Sequence, residues 1–482
     1  MKLLARLFAL CLFGSVHAAP LPATVSQELK KINVPQSGIA VEVREVGKHA
    51  PLISINAQRE MNPASTMKLL TTYAALDLLG PAYTWKTEAY IDGELKNGVL
   101  NGNLILKGYG DPKFTIEQFW LWLSELRARG LREIRGDLVL DRSHFDLPAH
   151  DPAHFDDDPA RAYNVGPDAL LINFNTLRLR YIPDGNGLKI VSEPSLDGVS
   201  VDNQLIPIIA KVNCDDWDEL FQVRPIGDSV VLHGNFPLEC GEREQNLSVM
   251  SHTRYVSAVF KSIWKSLGGT IQGTQREGAV GSNATLFATH RSEPLGSLIR
   301  DINKFSNNVM ARQLFLTLGG SSPAMGSPET THASDSASIF KTHPLNIERS
   351  VFATQTWLAR NRLDFKELVL ENGAGLSRKE RISAKHLAQL LQHVYEHPLS
   401  AELQASLPIL GVDGSVKKRL RESPAAGHAH LKTGTLEGVK TIAGYVRSKS
   451  GKEWIVVFFI NHPYAKQGQA AQDALIEWVQ QR

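Results

Sequence analysis

The chain has 482 residues, with 52 Lys plus Arg against 50 Asp plus Glu, 43% hydrophobic residues and three cysteines. That length supports about three domains with real cores, and 21% charged with 7% aromatic residues is the composition of an ordinary globular protein, not of a disordered, collagenous or coiled-coil chain. A formal net charge of +2 offers no strongly basic surface for nucleic acid, and outside the N-terminus no run reaches the ~18 apolar residues that span a bilayer.

At the N-terminus, Lys2 and Arg6 give a basic start, Leu7 to Phe13 an apolar stretch, and Val16-His17-Ala18 a small-residue cleavage site. This is the pattern of a signal peptide, and it predicts export to the periplasm with residues 1–18 removed. Pro20 disfavours cutting one residue later, so the expected cut follows Ala18. A retained anchor is the alternative, and the shortness of the apolar run and the lack of a stop-transfer pattern argue against it. Removal takes away two basic residues and no acidic ones, which leaves 50 of each sign. Cys11 goes with the leader, so only Cys214 and Cys240 remain. In an oxidising compartment such a pair, 26 positions apart, reads as a disulfide, with two buried thiols as the alternative. No neighbouring His or further Cys completes a zinc site, so the pair is structural in either case.

Gly38 to Arg44 largely alternate and Pro51 to Ile55 form a second short run, a predicted strand pair. A helical stretch follows from Thr66 through Leu79, stopped by Gly80-Pro81. From Tyr83 to Met250 short runs alternate with turns such as Asn97-Gly98 and Gly110-Asp111-Pro112, a strand-rich texture interrupted by a helical Ile116 to Arg129. His150 and His154 are spaced like metal ligands on a helix, but Pro152 between them breaks that helix, which favours a solvated loop with no metal. Helical periodicity returns at Tyr255 to Leu267, Leu295 to Phe305 and Val309 to Leu318. Gly319 to Pro344 is a low-complexity Gly/Ser/Pro/Thr segment that reads as a surface loop. Helical stretches follow as far as about His397. The end reads Ala429 to Thr433, Ile442 to Val446 and Trp454 to Ile460 as strands, then Ala470 to Gln481 as a helix.

One strand pair and one helix cannot bury their own apolar faces, so the two ends of the chain are expected to share one sheet with the middle inserted between them. The partition is then a leader at 1–18, a first part at 19–82, a strand-rich insertion at 83–250 with a nested subdomain at about 113–162, and a second part at 251–482.

Three short patterns carry chemistry. Ser-x-x-Lys sets a hydroxyl and an amine one helical turn apart on one face. It occurs at Ser65/Lys68, Ser262/Lys265, Ser338/Lys341 and Ser415/Lys418. Only Ser65 opens a helix after a Pro-containing loop with a largely apolar body behind it, where desolvation beside another cation lowers the pKa of an amine. The plainer reading makes Ser65 a helix cap and Lys68 a surface residue. Ser306-Asn307-Asn308 puts a hydroxyl and an amide on a connector between two helices, with an ordinary cap at Ser306 as its plainer reading. Lys432-Thr433-Gly434-Thr435 ends an alternating run; at ~5% usage per residue type, Lys-Thr-Gly is expected about 0.06 times by chance in this length. On an edge strand it presents a cation, two hydroxyls and a glycine that lets another backbone come close, whereas a solvated strand end is the bland alternative.

In this order, Ser65/Lys68, Ser306/Asn308 and Lys432-Thr433-Gly434 resemble the three motifs of the penicillin-binding proteins and serine β-lactamases. The long insertion after the Ser65 helix, Gly108-Tyr109-Gly110-Asp111-Pro112, Tyr163-Asn164, Asn173-Phe174-Asn175, Glu371 to Arg378 and Gly411-Val412-Asp413-Gly414 narrow the likeness. They resemble the class C low-molecular-mass penicillin-binding proteins, the D-alanyl-D-alanine carboxypeptidase/endopeptidase family, over nearly the whole mature chain. The resemblance implies an α+β fold: a transpeptidase-like domain with an antiparallel sheet flanked by helices, plus the strand-rich insertion.

It also implies roles. Ser65 would attack the carbonyl between two D-alanines, or that of a peptidoglycan cross-link, to form an acyl-enzyme, with Lys68 taking its proton. Ser306 would pass a proton to the leaving amine, Asn308 hold the acyl amide, Lys432 supply positive charge, and Thr433 and Thr435 contact the substrate carboxylate beside Gly434. Backbone N–H groups of Ser65 and Thr435 would form the oxyanion hole, and water would release the acyl group without a cofactor. The implied partners are peptidoglycan peptides and, as covalent inhibitors, β-lactam antibiotics. Nucleic acid and a transmembrane anchor are not expected, while peripheral association with membrane or wall and a homodimer are left open. Glu371-Asn372-Gly373-Ala374-Gly375 departs from the more usual Asp-Gly-Ser-Gly texture on one wall of the expected site. Two rivals remain. A β-lactamase needs a deacylating base, for which no Glu stands out, and has no use for roughly 170 inserted residues, more than a typical domain. A silent wall-binding protein has no need of a nucleophile, a base and a cation together.

Overall fold

The computed structural model describes residues 19–482 except 186, 228 and 322–342, so the leader and most of the Gly319–Pro344 segment lie outside the described residues. Strand Ile39–Glu45 sits inside a five-stranded antiparallel sheet, between Glu453–Asn461 and Ile53–Ile55, with Val439–Arg447 and Ala429–Leu436 continuing to the far edge. Both ends of the chain therefore build one sheet. Its near-continuous apolar run Trp454 to Ile460 follows from burial on both faces. Ile455, Val457 and Phe459 join the core beneath the helices Lys68–Leu79, Leu295–Lys304, Asn308–Leu318 and Ala384–Glu396. Val456, Phe458 and Ile460 point the other way, against Ala23–Lys31 and Gln469–Gln480. The edge strand Ala429–Leu436 carries the Lys-Thr-Gly pattern.

The chain leaves this unit after Leu79 and enters a second sheet. Lys86–Lys96 and Val99–Gly108 form a hairpin closed by Asn97-Gly98, both at positive φ (52° and 84°), the backbone a tight two-residue hairpin turn requires. Two helices, Ile116–Ala128 and His252–Ser266, cover this sheet through Phe119, Trp122, Leu123, Tyr255, Val259, Phe260 and Trp264. The insertion consequently runs past the expected boundary at 250: Thr270–Ile271 and Gln275–Glu277 pair with the inserted strands, and Thr285–Arg291 closes on Lys86–Lys96. An amphipathic pattern states that a helix must bury one face, but not against which core, and here the partner is Ile116–Ala128.

The expected subdomain at about 113–162 has no core of its own, because Phe119, Trp122 and Leu123 belong to the core just described. A separate core lies further on. Two three-stranded sheets, Ser200–Ile208 with Ser229–Pro237 and Phe221–Ile226, and Arg243–Leu247 with Leu177–Asp184 and Gly187–Glu193, enclose Tyr181, Trp217, Phe221, Leu232 and Phe236. Cys214 and Cys240 are joined there by a disulfide with a Cα–Cα distance of 5.5 Å.

Candidate active site

Ser65 lies in the short 3-10 turn Ala64–Met67, and the α-helix proper begins at Lys68. The helix Lys68–Leu79 buries Leu69, Leu70, Tyr73, Ala74, Ala75 and Leu76, so apolar residues surround it and it runs through the core, carrying Lys68 inside with it. Lys68 is fully buried. Its Nζ lies 3.0 Å from Ser65 Oγ and 2.7 Å from Asn308 Oδ1, and it donates to the Ala374 carbonyl. The amide oxygen and the carbonyl can only accept, whereas a serine hydroxyl can also donate. An ammonium Lys68 donates to all three, whereas a neutral Lys68 gives its two protons to Asn308 and Ala374 and receives the Ser65 hydroxyl proton on its lone pair. Burial, then the positive field of Lys432, hold its pKa well below the ordinary lysine value; Arg312 adds to this and Glu380 partly opposes it.

Glycines let two segments converge on the Ser65 turn. A Cβ on Gly434 would stand 2.7 Å from the Ser65 backbone nitrogen, and one on Gly375 would stand 1.9 Å from the Ala64 carbonyl oxygen. Gly375 also holds a φ of +79°, which side chains rarely adopt. Thr441 on the neighbouring strand bonds the Pro63 carbonyl at 2.7 Å, fixing the turn against the sheet.

Across from Lys68 stands a second buried lysine. Lys432 Nζ donates to Ser306 Oγ and to the Thr433 carbonyl, both at 2.8 Å, and burial pushes its pKa down to about 7. Ser306 does not cap the helix that follows it; Asn307 does, its Oδ1 accepting from the Met310 N–H at 3.0 Å. Ser306 instead takes a φ of +57° that turns its hydroxyl to Lys432. Thr433 Oγ1 meets Ser415 Oγ at 2.8 Å. Thr435, exposed and two residues further along the strand, projects on the same face as Thr433. Ser65, Lys68 and Asn308 therefore form one hydrogen-bonded group and Ser306, Lys432 and Thr433 another, joined by the field between the two lysines. His150 lies elsewhere, its Nε2 on the Asn164 carbonyl at 2.6 Å.

Several supports lie outside the three short patterns. Lys304 Nζ bonds Asp413 at 2.5 Å and the Leu407 carbonyl at 2.9 Å, and Asp413 accepts the Ile409 N–H at 2.7 Å, so the Gly-Val-Asp-Gly turn clamps the chain two residues before Ser306. Arg312 bonds the Val165 carbonyl at 2.8 Å and Gln313 the Asp168 carbonyl at 2.7 Å, tying the Asn308 helix to the insertion. Glu380 is fully buried beneath the 371–374 segment. Of these, Asp413 lies in the Gly411-Val412-Asp413-Gly414 pattern, whereas Lys304, Arg312, Gln313 and Glu380 belong to none of the patterns named above.

A serine facing a buried lysine one turn on, beside a second lysine on the edge strand of an antiparallel sheet flanked by helices, defines the penicillin-binding and β-lactamase-like class of serine enzymes. The model of the D-Ala-D-Ala carboxypeptidase 3 (S13) family matches residues 21–482, and the chain belongs to that family of peptidases. D-alanyl-D-alanine carboxypeptidase DacB of Haemophilus influenzae is 26% identical over 470 residues, covering 95% of this chain and 91% of its own. A D-alanyl-D-alanine carboxypeptidase of Actinomadura sp. is 26% identical over 458 residues, covering 91% and 80%. The crystal structure of penicillin binding protein 4 (dacB) from Haemophilus influenzae matches with a TM-score of 0.76 at 24% identity, over 94% of this chain and 100% of that one. A predatory peptidoglycan endopeptidase of Bdellovibrio bacteriovorus shares the fold at a TM-score of 0.51 and 15% identity, over 91% and 92%.

Proposed function

We propose that the protein hydrolyses D-alanyl-D-alanine termini of peptidoglycan stem peptides, and D-alanyl cross-links between stems, through an acyl-enzyme on Ser65. The contact of a buried Lys68, its pKa held well below the ordinary lysine value, with Ser65 Oγ at 3.0 Å carries this reading, because it pairs a nucleophile with a base at reacting distance. Lys68 takes the hydroxyl proton as Ser65 attacks. The backbone N–H groups of Ser65 and Thr435 receive the oxyanion, a contribution of ~3 to 4 kcal/mol per donor in comparable acyl-transfer enzymes. Ser306, held by Lys432, returns a proton to the departing amine, and Asn308 orients the acyl amide. Lys432, Thr433 and Thr435 gather the terminal carboxylate at the strand edge, where Gly434 leaves room for a peptide. Water then frees the acyl group. β-Lactams enter the same path and stall at the acyl stage. The leader pattern supports a periplasmic site for this chemistry. No helix among the described residues is long and apolar enough to cross a membrane.

Fluorescent penicillin tests the reading directly. Covalent label is expected on wild type and not on Ser65→Ala; absence from wild type, or equal label on both, ends it. Rapid penicillin turnover without D-alanine release from a pentapeptide would instead make the protein a β-lactamase. Digestion of purified cross-linked muropeptides, read by mass, separates the two peptidase activities: cleaved dimers report endopeptidase action and loss of one D-alanine reports carboxypeptidase action.

A further inference from the structure

Glu380 lies two residues beyond the Glu371 to Arg378 run and is fully buried. Its Oε1 accepts the backbone N–H groups of Glu371, Asn372 and Gly373 at 3.1, 2.9 and 2.9 Å, while its Oε2, equally buried, finds no hydrogen-bond partner among the described residues. A buried carboxylate with one bare oxygen is costly, and it persists where the field or the geometry it provides is needed. Both are present here. The three N–H groups it gathers lead into Ala374, whose carbonyl takes a hydrogen bond from Lys68 Nζ. Thr71, one helix turn beyond Lys68, bonds the Gly373 carbonyl at 2.6 Å, so this strap is stapled to the nucleophile helix at adjacent residues.

The charges point the same way. Facing Lys68 are Lys432 from the edge strand, Arg312 from the Asn308 helix and Glu380 from the strap; Glu380 is the carboxylate among them. Burial raises its own pKa, while the three N–H groups and Lys68 favour its charged form. Arg312 is itself buried and faces Glu380 and, more weakly, Glu371. Glu371 is held away by Ser377 at 2.5 Å and Lys379 at 3.1 Å. Without Glu380, the Lys68 amine would lie between Lys432 and Arg312 with no buried carboxylate beside it.

We propose that Glu380 is a positioning residue of this enzyme: it folds the 371–374 strap onto Lys68 and supplies the buried negative charge that decides how acidic a solution still leaves Lys68 able to accept a proton. This rests on Lys68 being the base of the reading above. A negative charge beside an amine favours the ammonium form, so removing it favours the free amine. Glu380→Gln keeps an oxygen for the three N–H groups and loses the charge. In the pH profile of acylation by fluorescent penicillin, its acidic limb is expected to move to lower pH by about half a unit or more, which is about a threefold gain on that limb relative to the plateau. Glu380→Asp keeps the charge and shortens the reach; its limb is expected to stay while its plateau falls tenfold or more. An unmoved limb in folded Glu380→Gln, or an equal shift in Glu380→Asp, overturns the proposal. If Glu380→Gln does not fold, Glu380→Asp decides: a shifted limb, or a plateau at the wild-type level, overturns the proposal. Wild type and Ser65→Ala are run beside them. Label on the first and none on the second keeps the Ser65 reading intact, so that an unmoved limb counts against Glu380 alone.

Discussion

The two lysines of the site are both buried, yet the proposed chemistry asks opposite things of them. Lys68 must be neutral to take a proton, whereas Lys432 must be charged to attract a carboxylate. Burial pushes both pKa values down, and for Lys432 the result is about 7. The free enzyme therefore loses the Lys432 charge as pH rises through about 7, and kcat/KM for a peptide ending in D-alanyl-D-alanine should fall above it, approaching tenfold per pH unit. Lys432→Arg carries a guanidinium that stays charged, so the alkaline fall should vanish even if the overall rate drops; the same fall in the Arg variant would remove Lys432 as its cause. Gly375 makes a simpler case. Its Cβ would stand 1.9 Å from the Ala64 carbonyl at a φ of +79°, so Gly375→Ala must push the strap away from the Ser65 turn. Acylation is expected to fall at least tenfold with about 1 to 3 kcal/mol lost in stability, read by penicillin labelling and urea unfolding. Labelling at the wild-type rate would mean that the strap does not position the turn.

At the scale of elements, the connector between the helices Leu295–Lys304 and Asn308–Leu318 shows what a short segment needs in order to place a hydroxyl. Its entry is clamped by the Lys304 and Asp413 pair, its exit by the Asn307 cap. The Lys304 side chain is only 4% exposed, so Asp413→Asn leaves a buried cation without its counter-charge. Removing one partner of a fully buried pair costs ~3–5 kcal/mol; with Asp413 partly in solvent, about 2 kcal/mol is expected, together with slower acylation because Ser306 loses its anchor. Unchanged unfolding and unchanged labelling would show the clamp to be idle. This connector also marks where local sequence reasoning stopped. Among the Ser-x-x-Lys patterns in the described residues, the apolar body after Ser65 singled out the one whose lysine is buried, because burial of a helix is written in its own composition. Ser306 as a plausible cap was equally well written, but the bond that turns it to Lys432 comes from a strand far along the chain. Glu380 had no local signal at all: its partners are three backbone N–H groups, which any sequence provides.

For the whole molecule, hydrophobic patterning located the elements but not always the core each one joins. The shared sheet was legible because Ile39–Glu45 and Ile53–Ile55 are too little to stand alone, so the missing strands had to come from the other end. The end of the insertion was not, since a helix such as His252–Ser266 can serve any core, and the true one became evident only from Phe119 and Trp122 opposite it. The third core, around Tyr181, Trp217 and Phe236, contains none of the candidate site residues and carries the Cys214–Cys240 disulfide. The Cys214–Cys240 bond closes a loop across 26 positions, and losing it should cost roughly 3 to 4 kcal/mol by loop entropy. Because the bond lies within that core, the cost should appear as local opening of 177–247 rather than as a change at Ser65. A double variant, Cys214→Ser with Cys240→Ser, is expected to be cleaved by protease within 177–247 under conditions where wild type resists, while acylating with penicillin at the wild-type rate. Parallel loss of both properties would show instead that the third core and the catalytic unit unfold together.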